Sequence, residues 1–206
     1  MKNQIQSYLN KLFPNPVCEL EFNSDFQLLV AVVLSAQCTD KRVNMVTKQL
    51  FKVAPTVSDM AKLEISQIEN IIKPCGFYHN KALALKNLSL DIIQKFNGQV
   101  PNNFDDLVCL RGVGRKTANV VLSVAFNIPA LAVDTHVFRV SKRLNLSKAN
   151  NPDKCEEDLK KIFKQSDWSK IHYQMVLFGR YHCKAIKPQC ENCELKNICL
   201  KFKQNK

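Results

Sequence analysis

The segment Leu110-Arg111-Gly112-Val113-Gly114-Arg115-Lys116-Thr117-Ala118 limits what this chain can fold into more than any other. Two glycines bracket one valine between two stretches of helical pattern, Phe104 to Leu110 and Lys116 to Phe126. A chain that ends one helix and starts another within so few residues must fold the second back on the first, as a helix-hairpin-helix. Gly112 and Gly114 can take positive φ without steric cost, and they let the backbone N–H groups of the turn approach a ligand. Amides at the start of a helix suit a phosphate. The second helix opens on Arg115 and Lys116, and beyond it stands Val133-Asp134-Thr135-His136, an acidic residue entering a further apolar helix.

The hairpin sits in a chain whose periodicity is helical throughout. Ile5, Leu9, Leu12 and Phe13 form a short amphipathic segment ended by Pro14 and Pro16, too short to stand alone. Phe26 to Ala36 is apolar nearly all round, which predicts a central helix buried on every side. Its β-branched residues would also permit a strand, but no other segment offers a strand partner. Thr39 or Asp40 can cap the next helix, carrying Val43, Val46, Leu50 and Phe51, and Ile65 to Ile72 marks another, stopped by Pro74. Ala82 to Phe96 defines a long helix closed by Asn97-Gly98. Beyond the hairpin, Val133 to Leu144, a helix capped by Asn151-Pro152, and Trp168 to Phe178 complete an all-α chain, with Trp168 expected in the core.

Thirty Lys plus Arg oppose 18 Asp plus Glu, a formal net charge of +12, so the surface field attracts polyanions and nucleic acid leads the partner classes. The longest apolar run, Leu28 to Leu34, is far too short to span a bilayer, and the N-terminus lacks the apolar stretch of a signal peptide. No membrane contact and a cytoplasmic location are the expectation.

Nine cysteines divide into two groups. Cys18, Cys38, Cys75, Cys109 and Cys155 are scattered through helical patterns and read as buried free thiols. Cys183-x6-Cys190-x2-Cys193-x5-Cys199 crowds four thiols together and reads as a metal site, either tetrahedral zinc or an iron–sulfur cluster. Only the inner pair has the Cys-x2-Cys spacing of a zinc knuckle, which favours iron–sulfur. Lys184 and Lys187 lie in the six-residue loop, with Arg180 just before it, so metal binding would fix a cationic loop suited to phosphate.

Lys116 at the start of a helix suits either a phosphate contact or an amine nucleophile, since the positive end of the macrodipole and Arg115 disfavour a further positive charge there. Asp134 suits an N-cap as well as a catalytic carboxylate. Taken with Leu110-x-Gly112-Val113-Gly114-Arg115-Lys116-Thr117-Ala118-Asn119-Val120-Val121, with Val133-Asp134-Thr135-His136-Val137-x-Arg139-Val140, with Leu34-Ser35-Ala36-Gln37-x-Thr39-Asp40, and with the cysteine spacing, the chain resembles the endonuclease III family. That family comprises bifunctional DNA glycosylases and abasic-site lyases of base excision repair.

The resemblance covers nearly the whole chain and implies two helical domains. Residues 18–128 would form a helical barrel carrying the helix-hairpin-helix near 104–126, and residues 1–17 plus 129–206 an iron–sulfur domain. It implies a [4Fe-4S] cluster on Cys183, Cys190, Cys193 and Cys199, Lys116 as nucleophile and Asp134 as its catalytic partner. It also implies Gly112, Gly114, Arg115, Lys184 and Lys187 as DNA contacts, Gln37 filling the gap left in the duplex and Phe77 wedging between bases. The implied substrate is double-stranded DNA with oxidised pyrimidines or abasic sites, bound by a monomer, with the strand cut 3′ to the lesion by β-elimination. Three residues depart from the family pattern: Phe77 stands where leucine is usual, Arg111 where proline is usual, and Val108 where an acid is common. Two other readings are an adenine-specific mismatch glycosylase, which usually lacks a lysine at the position of Lys116, and a non-catalytic DNA-binding module with structural zinc.

Overall fold

The computed structural model describes residues 1–204, and among them every regular element is a helix. The chain divides into two units. One is continuous, Glu19–Ile128, and the other joins Met1–Cys18 to the chain from Pro129 onward.

In the continuous unit, α2 (Asp25–Leu34) is buried at every residue from Phe26 to Leu34. Ser24 starts it by accepting a hydrogen bond from the Gln27 amide at 3.2 Å. Each large side chain so enclosed contributes about 1.5–3 kcal/mol, which outweighs the β-branched preference for strand. The helix stops at Leu34, and the segment expected to extend it to Ala36 turns instead, with the Cys38 amide bonding back to Ser35 O at 3.1 Å.

Of the two possible caps for α3 (Asp40–Val53), Thr39 is the one used. There follow α4 (Val57–Lys62), α5 (Ile65–Ile72), α6 (Tyr78–Phe96), α7 (Phe104–Cys109) and α8 (Arg115–Ala125). Both α4 and α5 pack on α6, and α8 packs on α2. The two-turn α4 escapes a periodicity reading because it buries only Val57 and Met60; a Thr56 cap accepting from the Asp59 amide defines its start. Cys75 is buried, whereas Cys109, expected in the core, is exposed at the end of α7.

The discontinuous unit holds α1 (Lys2–Leu12), α9 (Thr135–Arg143), α10 (Pro152–Ile162), α11 (Trp168–Leu177), a π-helical turn over Phe178–His182 and α12 (Leu200–Gln204). Ile5, Tyr8 and Leu9 of α1 join a core of Val137, Val140, Leu159, Ile171, Met175 and Phe178. Tyr8 Oη donates to Asn192 O at 3.3 Å, and Gln174 Nε2 donates to Asn10 Oδ1 and Phe13 O, both at 2.9 Å. The short N-terminal helix thus obtains its burial from the far end of the sequence. Trp168, expected inside, lies half-buried at the edge of this core, because its indole N–H donates to Phe163 O at 3.1 Å and draws the ring to the rim.

Candidate functional site

The hairpin is built as the glycines require, but only one of them needs positive φ. Gly112 has φ 81°, and a Cβ there would lie 2.7 Å from Cβ of Ala84 on α6. Gly114 is extended (φ −97°, ψ 175°) with open space around it, and it serves as the N-cap of α8. The first glycine therefore answers both to backbone conformation and to close packing, and the second to neither. Gly112→Ala should destabilise the fold by about 2–4 kcal/mol, combining left-handed strain with overpacking, as read by denaturant midpoint at unchanged m-value. Gly114→Ala should cost far less.

No side chain caps α8. Its first turn therefore has helix-start amides whose partners must come from elsewhere, which is the arrangement that binds an anion. Lys116 is exposed in that turn, and Arg115 lies over the Phe104 ring at 5.0 Å, bracing one side of the hairpin against the other.

Two other exposed residues of the continuous unit, Gln37 and Phe77, hold left-handed backbone at φ 53° and 58°. Such conformations in residues other than glycine cost about 1–3 kcal/mol and persist only where the surroundings impose them. The segment that leads into Gln37 is held by Lys81. This lysine is 6% exposed, and its Nζ donates to Leu34 O at 2.9 Å and Ala36 O at 2.7 Å, tying the Gln37 turn to the helix that Phe77 begins. Burial lowers the Lys81 pKa, while the sulfurs of Cys75 and Cys38 oppose that shift. Phe77 is 64% exposed, so its ring does not belong to the core. Lys81→Met should leave those two carbonyls without their donor, destabilise the protein by about 1–3 kcal/mol, and weaken binding to a damaged duplex in a gel-shift titration.

In the discontinuous unit Asp134 caps α9, with Oδ1 accepting from the Val137 amide at 2.7 Å. The segment leading to it is held by α11: a ring nitrogen of buried His172 pairs with Ala132 O at 2.8 Å, and Ala130 N donates to Ser169 Oγ at 3.4 Å. Farther along α9, Arg139 donates from Nε to Cys183 O (3.2 Å) and from Nη2 to Gly179 O (2.8 Å). Arg143 donates from Nη1 to Lys184 O (2.7 Å), Cys183 O (3.2 Å) and Cys183 Sγ (3.2 Å). One helix thus carries the aspartate at its start and fixes the first cysteine loop at its end. Lys184 and Lys187 are exposed on that loop, Lys187 with φ 49°.

Cys183, Cys190, Cys193 and Cys199 all line one pocket, walled by Leu144, Phe178 and Phe202. Burial raises the Cys193 thiol; a backbone hydrogen bond from Leu195 opposes this, and the charges of Cys183, Cys199 and Cys190 add to it. Four partly buried thiols around one pocket are soft ligands of the kind a metal centre takes. Among the described residues no three His, Cys, Asp or Glu side chains gather closely enough to hold a single ion. Four cysteines lining one pocket are, by their chemistry, a donor set that suits a metal–sulfur group.

Residues 30–165 match the model of the HhH-GPD superfamily base excision DNA repair proteins. Over 200 residues, covering 95% of this chain and 91% of the relative, the sequence is 47% identical to endonuclease III of Bacillus subtilis (strain 168). The chain belongs to the endonuclease III family. Among solved structures, a non-covalent endonuclease III–DNA complex superposes with a TM-score of 0.96 at 47% identity, over 100% of this chain and 98% of that one. A trapped endonuclease III–DNA covalent intermediate superposes with a TM-score of 0.95 at 48% identity, over the same shares.

Within this endonuclease III family chain, four side chains with structural leverage on the site carry no sequence signal of it. Lys81, His172, Arg139 and Arg143 each satisfy main-chain carbonyls from a different segment. A lysine, histidine or arginine on a helical pattern reads as a solvated charge until the partner segment is in place. The one available cue is the spacing Asp134, Arg139, Arg143, which distributes a carboxylate and two cations along a single helix.

Proposed function

We propose that this chain removes oxidised pyrimidines from double-stranded DNA and then cuts the strand 3′ to the abasic site by β-elimination. The observation that carries this reading is Lys116, an exposed amine in the first turn of an uncapped helix, reached through the Gly112 turn. Uncapped amides suit the DNA backbone, and the lysine beside them supplies a nucleophile where the phosphate is held.

The target nucleotide must leave the stack before any side chain can reach its sugar, and damage lowers the cost of extrusion. Gln37 and Phe77, projecting from strained turns that Lys81 holds, are suited to enter the duplex as the nucleotide leaves. Gly112, Gly114 and Arg115 on the hairpin, with Lys184 and Lys187 on the cysteine loop, take the phosphates. Lys116 Nζ attacks C1′ and the base departs. Asp134 accepts the lysine proton and offsets positive charge developing on the sugar. The imine that results acidifies the C2′ proton; its removal breaks the bond from C3′ to the phosphate oxygen and severs the strand.

Cys183, Cys190, Cys193 and Cys199 would hold a [4Fe-4S] cluster. When bound, it supplies a four-point cross-link that fixes a C-terminal segment short of apolar residues. Arg143 steadies the first of these ligands and the loop bearing Lys184. Purified protein should carry about four iron and four sulfide per chain and absorb in the visible; a colourless, zinc-containing protein that never nicks DNA would leave the binding-module reading in its place.

Among the described residues no helix is long and apolar enough to cross a membrane. We place the protein in the bacterial cytoplasm, acting on nucleoid DNA as a monomer. A panel of lesion duplexes, with and without borohydride, tests the assignment: cleavage at thymine glycol supports it, whereas activity confined to adenine opposite 8-oxoguanine would support the mismatch-glycosylase reading. The lysine at position 116 favours the former.

A further inference from the structure

His182 stands immediately before Cys183, the first of the four pocket cysteines, and its carbonyl accepts a hydrogen bond from the Gln189 amide at 3.0 Å. That bond closes the neck of the first cysteine loop, so one residue is tied both to the chain beside Cys183 and to the chain beside Cys190. Its imidazole lines the same pocket as the four cysteines. Two aromatic rings hold it there. Phe178 stacks on it with centroids 4.9 Å apart and planes 19° from parallel, and Tyr8 of α1 meets it edge-on at 6.2 Å and 81°.

One polar atom in this packed arrangement is left over. Nε2 of His182 is buried, and among the described residues it has no hydrogen-bond partner. Gln189 and Lys196 also line the pocket, but neither bonds to it, and Lys196 Nζ donates to Glu191 O at 3.4 Å instead. Native interiors rarely leave a buried ring nitrogen unpaired without a bound group to pair it. The chemistry of the pocket names the partner. Thiolate ligands and the sulfides of a metal–sulfur group accept hydrogen bonds and donate none, so a nitrogen bonded to one of them carries the proton as Nε2–H, with Nδ1 the acceptor of the neutral ring.

We propose that His182 donates Nε2–H to a sulfur of the metal–sulfur group held by Cys183, Cys190, Cys193 and Cys199, and thereby sets how readily that group gives up an electron. A hydrogen bond to sulfur draws electron density away from the metals and favours the more reduced state, so the donor raises the reduction potential. Phe178 and Tyr8 make the donor a fixed one, since the ring cannot swing away without losing both contacts. Through Tyr8, helix α1 bears on the metal site as well as on the core.

This inference rests on the reading of the four cysteines as ligands of a [4Fe-4S] cluster, and the test keeps the two apart. Iron and sulfide are counted per chain in wild type, His182→Phe and His182→Gln. Phenylalanine keeps a ring to stack on Phe178 and deletes the donor, whereas glutamine keeps an N–H. All three should hold about four iron and four sulfide, because His182 is not a ligand. Redox titration should place His182→Phe at a lower potential than wild type, with His182→Gln between them. Wild type gives a reading that needs no variant: pulsed EPR of the paramagnetic holoprotein carrying ¹⁵N-histidine should show one weak nitrogen coupling, transmitted through the hydrogen bond. A strong coupling, or iron lost from both variants at unchanged helix content, would make His182 a ligand and overturn the proposal. Equal potentials in iron-replete wild type and His182→Phe would also overturn it, as would an iron-replete wild type with no histidine coupling. A protein purified without iron would remove the cluster reading and this inference together.

Discussion

Lys116→Ala is expected to abolish covalent trapping to damaged DNA by borohydride and to lower strand cleavage at abasic sites by at least about 10³-fold, with the fold intact. The loss should be large because the reaction proposed here forms a bond to Nζ. Removing a nucleophile deletes a step, whereas removing a binding contact weakens one. Stability should be little affected, since Lys116 is exposed and begins a helix that alanine favours. Lys116→Gln separates chemistry from binding further: the amide can still donate to a phosphate but forms no imine. The glutamine variant should therefore bind an abasic-analogue duplex nearly as wild type does while neither trapping nor nicking. Wild-type trapping by either variant would remove Lys116 from its role.

Asp134 is expected to answer differently to two substitutions, because its side chain has a structural duty that can be kept while its charge is removed. Oδ1 accepts from the Val137 amide at 2.7 Å and caps α9. Asparagine caps nearly as well as aspartate, so Asp134→Asn should change stability by under about 1 kcal/mol. Asp134→Ala forfeits the cap and should cost about 0.5–2 kcal/mol more. Activity should fall in both by roughly 10²–10⁴-fold, the range for losing a positioned general base or charge. The informative result is the pairing: an asparagine variant that is stable and inactive assigns the loss to charge. If Asp134→Asn cleaves at the wild-type rate and only Asp134→Ala is impaired, the residue is a cap and nothing more.

Much of the site could be read from sequence because its determinants are local. A turn that needs positive φ at Gly112, an unbroken apolar stretch from Leu28 to Leu34, and four cysteines within one short segment each declare themselves without a partner. What stayed hidden depends on segments far apart in the chain. Lys81 acquires its purpose from carbonyls of α2 and the following turn, and Arg143 from a loop 40 residues onward. Gly114 shows the opposite error, since a glycine that looks compelled by the hairpin occupies ordinary extended backbone.

The division of the chain carries a consequence for how it is made. The continuous unit, Glu19–Ile128, has left the ribosome while its neighbour is still incomplete, and it holds the contacts needed to collapse as synthesis proceeds. Helix α1 is translated before the continuous unit but joins its own unit after that one can fold. Its 11 residues are too few to persist as an isolated helix in water, and its anchors at Asn192 and Glu194 lie 184 and 183 residues away. During synthesis, Ile5, Tyr8 and Leu9 are an apolar stripe with no surface to cover it. The nascent protein should pass through a stage in which the hairpin unit is folded and α1 is still open to a chaperone or a protease. Emergence of the chain through Leu195 closes that interval, because Phe178 and Leu195 then complete the core that receives α1.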